Sequence, residues 1–220
     1  EPDQTRESHD YTGTRKTCPF PVASDRLAAM ILPEGCGKAE PLCVCDRIEP
    51  KGNRRSVLFL QHPQEPDHDL GTARIANLSL ENSVLKIALS VPNLKRALGR
   101  EVESSAKWGV LYLGSGVKRT ESAAHSGPLP PGLYPVTKDG KLLGEKERSE
   151  ILDSLEGIIL LDGTWSQAKT LWWRNAWLLK CRRLILVPRS RSLYGSLRKE
   201  PRSECLSTIE TAAESLDALG

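Results

Sequence analysis

The stretch GIILLDGTWSQAKTLWWRNAWLLK, residues 157–180, decides the fold. It opens with a continuous apolar run, 158–161, which is typical of a short strand buried on both faces. Thr164, followed three residues later by Gln167, forms a capping box, so a helix is predicted to begin there. Asp162 therefore stands at the carboxyl end of a buried strand, where open α/β sheets bind ligands. This carboxylate is either a catalytic or ligand-binding group or a cap for the helix.

Apolar residues recur through the rest of this stretch at helical spacing. They are Trp165, Ala168, Trp172 and Leu179. Their spacing predicts that one face of the helix packs on the core. For Trp165, core packing and stacking on a nucleic-acid base are both open.

Predicted strands and helices alternate along the remaining chain. Strands are expected at 56–61, 84–89, 109–116 and 182–188, and helices at 72–80, 93–100, 145–155 and from Ser207 or Thr208 onward. Residues 117–145, rich in Gly, Pro and Ser, are predicted to be a lid or a disordered loop, with a hairpin turn at 138–141. The alternation predicts an α/β fold whose mostly parallel sheet carries helices on both faces.

Composition is that of a soluble globular protein. The 220 residues are 39% hydrophobic and 27% charged, with a net charge of +3. No apolar run is long enough to span a membrane, so no membrane partner is expected. The polar first segment, EPDQTRESHD, shows no secretory signal, which favours a cytoplasmic or nuclear location. A location in an organelle is also open, because the sequence does not begin with Met.

The chain is predicted to have three parts. We expect a polar lead-in at 1–25, a cysteine segment at 26–54 and the main domain at 55–220.

Basic residues crowd the last third of the chain. They are Lys169, Arg174, Lys180, Arg182, Arg183, Arg189, Arg191, Arg198, Lys199 and Arg202. Such a distribution indicates either a polyanionic partner, such as nucleic acid, or a solvated basic face.

Three of the six cysteines lie close together, at Cys36, Cys43 and Cys45. Without a secretory signal, a metal site is favoured over disulfides. We expect zinc in a small knuckle, with Cys18 as the first candidate for the fourth ligand. The alternative is a set of reduced cysteines in a compact loop.

Two further loops follow predicted strands. After the first strand, His62, Glu65 and His68 resemble a metal-ligand set, but prolines interrupt any regular spacing, so a substrate loop is the simpler interpretation. Arg74 in the following helix would then reach a phosphate. The stretch at 109–116 ends in a Gly-Ser-Gly turn, which would let the backbone approach a ligand closely.

Several separated motifs together resemble the DTW-domain family. They are DGTW at 162–165, ECLSTIE at 204–210, QHPQE at 61–65, LGTARIA at 70–76 and the cysteine segment. The resemblance implies a tRNA-uridine aminocarboxypropyltransferase that uses S-adenosylmethionine and acts on tRNA, expected here as a monomer. It also implies a fold similar to the SPOUT methyltransferases, with a C-terminal trefoil knot. This chain departs from the family at two positions. Pro33 stands where the family usually has the first of its cysteines, and Leu113 stands where the family often has a proline after a Leu-Tyr pair.

Site residues are carried over onto the matching positions. The resemblance implies that the catalytic residues are Asp162, Thr164 and Trp165. S-adenosylmethionine is expected at Leu113, Gly114, Ser115, Leu161, Pro188, Arg198, Leu206, Ser207, Thr208 and Glu210. RNA is expected at His62, Arg74, Lys107, Lys169 and Arg174. Two alternatives stay open, a SPOUT-type RNA methyltransferase and a non-catalytic RNA-binding protein with a zinc knuckle.

Overall fold

A computed structural model describes residues 35–38, 42–66, 68, 70–111, 129–194 and 206–220. Six strands lie in these ranges: β1 Ser56–Gln61, β2 Ser83–Ile87, β3 Trp108–Leu111, β4 Gly132–Val136, β5 Gly157–Asp162 and β6 Arg182–Val187. Five α-helices accompany them: α1 Ala73–Leu78, α2 Leu94–Leu98, α3 Glu145–Ser154, α4 Trp165–Arg174 and α5 Thr208–Leu219. Short 3-10 helices cover Cys45–Arg47, Ser105–Lys107 and Ala176–Lys180.

The strands form one sheet in the order β2-β1-β5-β3-β6-β4. Every pairing is parallel except that of β4 with β6. The register of β1 and β5 sets Gln61 opposite Asp162, so these two strands end at the same edge. The predicted α/β class with a mostly parallel sheet is therefore confirmed.

Apolar side chains fill both faces of the sheet. In β1, Leu58 and Leu60 point into a cluster that also contains residues of α2 and α4. Val57 and Phe59, alternating with them, belong to a second cluster that draws on α1, α3 and α5. Because both faces of the sheet are covered, the sequences of the central strands are continuously apolar and do not alternate between apolar and polar residues. Helices on both faces, as predicted, complete the core.

The expectation of a long loop at 117–145 was wrong in its second half, because β4 lies there. This strand pairs antiparallel with β6 at the edge of the sheet. Its sequence, GLYPV, contains Pro135, and an edge position tolerates a residue without a backbone N–H. The hairpin turn at 138–141 is confirmed, since Gly140 N donates to Thr137 O and Val136 bridges Leu142. Residues 117–128 of the predicted loop lie outside the described residues.

The tryptophan helix is shorter than its apolar pattern suggests. Helix α4 ends at Arg174, and the buried side chain of Asn175 donates to Leu171 O and accepts from Val91 N. Leu179 then lies in a separate 3-10 helix with half its surface exposed, so its predicted place on the buried face of α4 was wrong. The residues of α4 that are fully buried are Ala168 and Leu171.

No helix in the described ranges has the length and apolar character needed to cross a membrane. The knot implied by the family resemblance depends on the path of residues 112–128 and 195–205. Both segments lie outside the described residues, so the knot stays a prediction.

Candidate active site

Three segments far apart in the sequence meet at the carboxylate of Asp162. Asp162 closes β5 and is only 6% exposed. Gln61, at the end of β1, donates from Nε2 to Asp162 Oδ2 over 2.7 Å. Thr208, the first residue of α5, donates its hydroxyl to Asp162 Oδ1. A nearly buried carboxylate is thus held in one orientation by a neighbouring strand and a helix start.

Asp162 is not the cap of the helix that follows it. Thr164 Oγ1 accepts from Gln167 N, and Gln167 Oε1 accepts from Thr164 N over 2.6 Å, so the predicted capping box is confirmed. The cap is therefore supplied within α4 itself, while the two hydrogen bonds of the Asp162 side chain lead to Gln61 and Thr208. Of the two roles that the sequence left open, the helix cap is therefore excluded, and a ligand-binding or catalytic role stays a prediction.

Gly163 allows the chain to turn sharply between strand and helix. Its φ is +156°, a conformation that residues with a side chain rarely adopt. A Cβ there would lie 2.9 Å from Gln167 Cβ and 3.4 Å from His62 Cβ. Glycine therefore lets the start of α4 sit directly against the loop that follows β1.

That loop, between β1 and α1, is anchored to the site by its backbone. His62 N donates to Asp162 O over 2.9 Å. His62 Nδ1 accepts from Gln64 N at 3.3 Å. The side chains of His62 and Glu65 are buried. His62, expected to contact RNA, is therefore a buried residue whose backbone adjoins Asp162.

The start of α5 is held by Glu210. Ser207 and Glu210 form a capping box, so α5 begins with Ser207 as its N-cap, one of the two starts that the sequence left open. The Glu210 carboxylate also accepts from Ser192 Oγ at 2.8 Å and from Leu193 N at 2.6 Å. Burial alone would raise the pKa of Glu210, but hydrogen bonds from Leu193 N, from the side chain and backbone of Ser207, and from Ser192 outweigh it and lower that pKa. This network fixes the segment after β6 against the helix that delivers Thr208.

The β1–α1 loop contacts the same helix start. Thr72 Oγ1 accepts from Ile209 N at 3.2 Å. Tyr194 OH donates to Leu70 O, which ties the segment after β6 to this loop as well. The orientation of Thr208 toward Asp162 thus depends on two loops, the one between β1 and α1 and the segment after β6.

The expected cofactor residues that are described gather at this edge of the sheet. Leu161 lies in β5, Pro188 directly follows β6, and Leu206, Ser207, Thr208 and Glu210 surround the start of α5. The strands that lead to Asp162 and to Pro188 are not neighbours, because β3 lies between β5 and β6. Leu113, Gly114, Ser115 and Arg198 fall outside the described residues.

The expected RNA-binding residues are not brought together as one group. Lys169 and Arg174 are exposed on α4, whereas Arg74 on α1 lies against Gly37. Lys107 precedes β3 at the opposite edge of the sheet and pairs with Glu103 at 2.6 Å and Glu156 at 3.2 Å. Hydrogen bonds to these two glutamates raise the pKa of Lys107.

The three cysteines form a compact cluster, with their sulfur atoms within 4.8 Å of one another. Cys36 Sγ lies 3.7 Å from Cys43 Sγ, and Cys36 N donates to Cys45 Sγ. Burial would raise the pKa of the Cys36 thiol, but hydrogen bonds from the backbone of Val44 and Lys38 and from Cys45 and Cys43 outweigh it and lower that pKa. Cys18 lies outside the described residues.

Gln61 is the site residue that the sequence reasoning missed. It is 3% exposed, and its Oε1 has no hydrogen-bond partner in the described part of the chain. The sequence feature that could have identified Gln61 is its position as the last residue of an apolar strand, which is the feature that identified Asp162. A buried acceptor without a donor is rare in folded proteins and marks a place where a ligand can supply one.

Comparison with known proteins gives the chain its family. The DTW domain matches residues 33–220. A protein of Drosophila melanogaster named tRNA-uridine aminocarboxypropyltransferase 2 is 29% identical over 84% of this chain and 65% of its own length. Proteins of the same name from Macaca fascicularis and Mus musculus are each 26% identical over 84% of this chain and 55% of their own lengths.

The chain therefore spans only about half to two thirds of the length of these curated relatives. No solved structure matches it. The family match covers most of the chain and includes the segments of Gln61, Asp162 and Thr208. The chain belongs to the DTW domain family.

Proposed function

We propose that this chain transfers the 3-amino-3-carboxypropyl group of S-adenosylmethionine to N3 of a uridine in tRNA and releases methylthioadenosine. The observation that carries the proposal is the buried Asp162 carboxylate, held by Gln61 and Thr208 at the carboxyl edge of the sheet. Membership of the DTW domain family and the names of the relatives support the choice of reaction.

The reaction needs a base and an electrophilic carbon. Asp162 takes the proton from N3 of uracil as N3 attacks the carbon next to sulfur on the amino-acid arm. The carbon–sulfur bond breaks, and its electron pair neutralises the sulfonium, which leaves as methylthioadenosine. Each oxygen of Asp162 accepts one hydrogen bond within the protein, and a carboxylate oxygen has a second lone pair for the uracil N–H.

Gln61 contributes to this site through its unpartnered Oε1. Its Nε2 is committed to Asp162, so the amide is fixed with the oxygen available to a donor. The ammonium group of the amino-acid arm is a donor that the proposed cofactor carries near the reacting carbon. A hydrogen bond from it would satisfy the amide and position the cofactor beside the carboxylate.

The proposed cofactor site follows from the sheet order. Strands β5, β3 and β6 are adjacent, and their carboxyl ends lead to Asp162, to residues 112–115 and to Pro188. A crevice at this edge is where parallel sheets bind nucleotides. The negative charge of Asp162 attracts the sulfonium, and the residues around the start of α5 form the adjoining wall. The SPOUT-like knot belongs to this same proposal.

A structural zinc ion is proposed at the cysteine cluster. Tetrahedral coordination with zinc–sulfur bonds of about 2.3 Å separates the sulfur atoms by about 3.8 Å. Cys36 and Cys43 match this spacing, and the lowered pKa of Cys36 favours the thiolate that a metal requires. Cys36, Cys43 and Cys45 would hold the ion, with Cys18 as the proposed fourth ligand. Metal analysis of the purified protein tests this, and a zinc-free protein with rapidly reacting thiols contradicts it.

The experiment that tests the reaction supplies two samples of S-adenosylmethionine, one labelled in the methyl carbon and one in the carboxypropyl carbons, with bulk tRNA as acceptor. We expect label in tRNA only from the carboxypropyl sample, together with methylthioadenosine. Methyl label in tRNA with S-adenosylhomocysteine would instead identify a methyltransferase. Bound tRNA with no label from either sample would identify a binding protein.

A further inference from the structure

Helix α4 carries a line of exposed aromatic and basic side chains. Trp165, Lys169 and Trp173 are four residues apart and therefore lie along one face. Trp165 is 37% exposed and Trp173 is 76% exposed, while Lys169 between them is also exposed. We refer to these three residues as the α4 stripe. The opposite face of the helix, with Ala168 and Leu171, is buried.

The exposure of Trp173 sets it apart from the tryptophans that stabilise the fold. Trp108 and Trp177 are buried, and Trp177 donates its indole N–H to Val91 O. Trp172 packs against the core and lies under the guanidinium of Arg183. Trp173 gains no such packing, so the fold does not account for a large aromatic side chain at this position.

The chain segment that contains the stripe carries charge of one sign. No Asp or Glu occurs between Gly163 and Lys199, while several Lys and Arg residues do. Neither Lys169 nor Arg174 takes part in any ion pair between described residues. A surface with exposed indole rings and unneutralised cations is complementary to a chain of bases and phosphates.

The length and position of the stripe indicate unpaired nucleotides. From residue 165 to residue 173 an α-helix rises about 12 Å, about three to four steps of a stacked strand at roughly 3.4 Å each. In a duplex the faces of the bases are hidden in the stack, whereas unpaired bases can stack on an aromatic ring. The Trp165 end lies three residues after Asp162, so a strand along α4 leads to the candidate active site.

We propose that the α4 stripe binds the unpaired nucleotides that flank the target uridine, with a base stacked on Trp173 and a phosphate at Lys169. This rests on the proposed function, because it assigns a neighbouring subsite to the same RNA substrate. It implies that the acceptor uridine lies in a single-stranded loop of the tRNA rather than in a stem.

Equilibrium binding of a fluorescently labelled ten-nucleotide single strand containing uridine tests the stripe, with the same sequence in a duplex for comparison. We expect Trp173→Ala to weaken single-strand binding by about 5- to 150-fold, the range for loss of one base–aromatic stack. Trp173→Phe should retain most of the affinity. Leu179→Ala, which removes another exposed apolar side chain close to α4, serves as the control and should bind as the unaltered protein does.

Unchanged single-strand binding by Trp173→Ala would overturn the proposal, as would an equal loss for the single strand and the duplex. A loss with Leu179→Ala as large as that with Trp173→Ala would also overturn it. The measurement needs no S-adenosylmethionine and no turnover. If the unaltered protein transfers no carboxypropyl label but Trp173→Ala still weakens single-strand binding, the stripe is supported and the proposed reaction is refuted. If the protein transfers the label but Trp173→Ala leaves single-strand binding unchanged, only the stripe proposal is refuted.

Discussion

Helices α4 and α5 begin beside Asp162 with the same device and then serve different purposes. Each starts with a capping box, Thr164 with Gln167 in α4 and Ser207 with Glu210 in α5. The first side chain of α5, Thr208, turns inward and donates to Asp162, whereas the first side chain of α4, Trp165, is exposed. A capping box thus fixes where a helix starts, but the surrounding contacts decide whether its first residue completes a site or forms a surface.

The largest expected effect comes from the group that both helices flank. Asp162→Asn should lower turnover by about two to four orders of magnitude, the usual scale for loss of a general base. The fold should survive, because the Gln61 amide can reverse and present its unpartnered Oε1 to the new Nδ2. Single-turnover transfer of carboxypropyl label measures the reaction, and thermal unfolding monitors the fold. Turnover within threefold of the unaltered enzyme would contradict a base role for Asp162.

The inward contact of α5 can be removed without changing the shape of the side chain. Thr208→Val deletes the donor to Asp162. A hydrogen bond to a charged group contributes about 1.5 to 3 kcal/mol, so we expect turnover to fall by about 10- to 150-fold. Thr208→Ser restores a hydroxyl and should recover most of the rate. If Val and Ser variants lose activity equally, the hydroxyl is not the feature that matters.

The two caps should differ in their response to pH. Glu210→Gln replaces one carboxylate oxygen, which accepts hydrogen bonds from N–H and O–H groups, with an amide NH2 group, which donates. The free energy of unfolding should therefore fall by about 1 to 2 kcal/mol at pH 7, less than for the loss of a fully buried charge. Gln167→Leu in the neutral cap of α4 should cost less.

The sign of the pH effect follows from the lowered pKa of Glu210. Its contribution is present above the ordinary glutamate pKa of about 4.3 and is lost as the pH falls through the lower pKa of the folded protein. Denaturant titrations from pH 7 to pH 3 should therefore show the Glu210→Gln difference vanishing in acid, whereas the Gln167→Leu difference should persist. A Glu210→Gln difference that does not change with pH would contradict this.

The smallest effect is expected on the outward face of α4. Lys169→Ala should weaken tRNA binding by about two- to fivefold and reduce the slope of log affinity against log salt by about 1, as for one lost phosphate contact. Lys146→Ala, an exposed lysine on α3, is the control. Affinity that does not change between low and physiological salt would show that the basic residues of α4 do not bind phosphate.

Local patterns in the sequence were sufficient for the elements around the site. The apolar run before Asp162 predicted β5, and a capping box predicted where α4 begins, because both signals depend on residues within one or two turns. The start of α5 was predicted to within one residue. The strand β4 was missed, since five residues containing a proline at a sheet edge carry little apolar pattern. The end of α4 was missed because it depends on Asn175 bonding to residues 89 and 91, which are distant in sequence.

The sequence by itself determined the α/β class, the position of Asp162 at a strand end and the resemblance to the DTW domain family. Only the tertiary structure decided which residues hold that carboxylate. Gln61 reaches it because β1 and β5 end in register, and Thr208 reaches it although β3 separates β5 from β6. Such contacts join residues about a hundred and about fifty positions apart. Strand order and register set them, and neither is encoded in a local pattern.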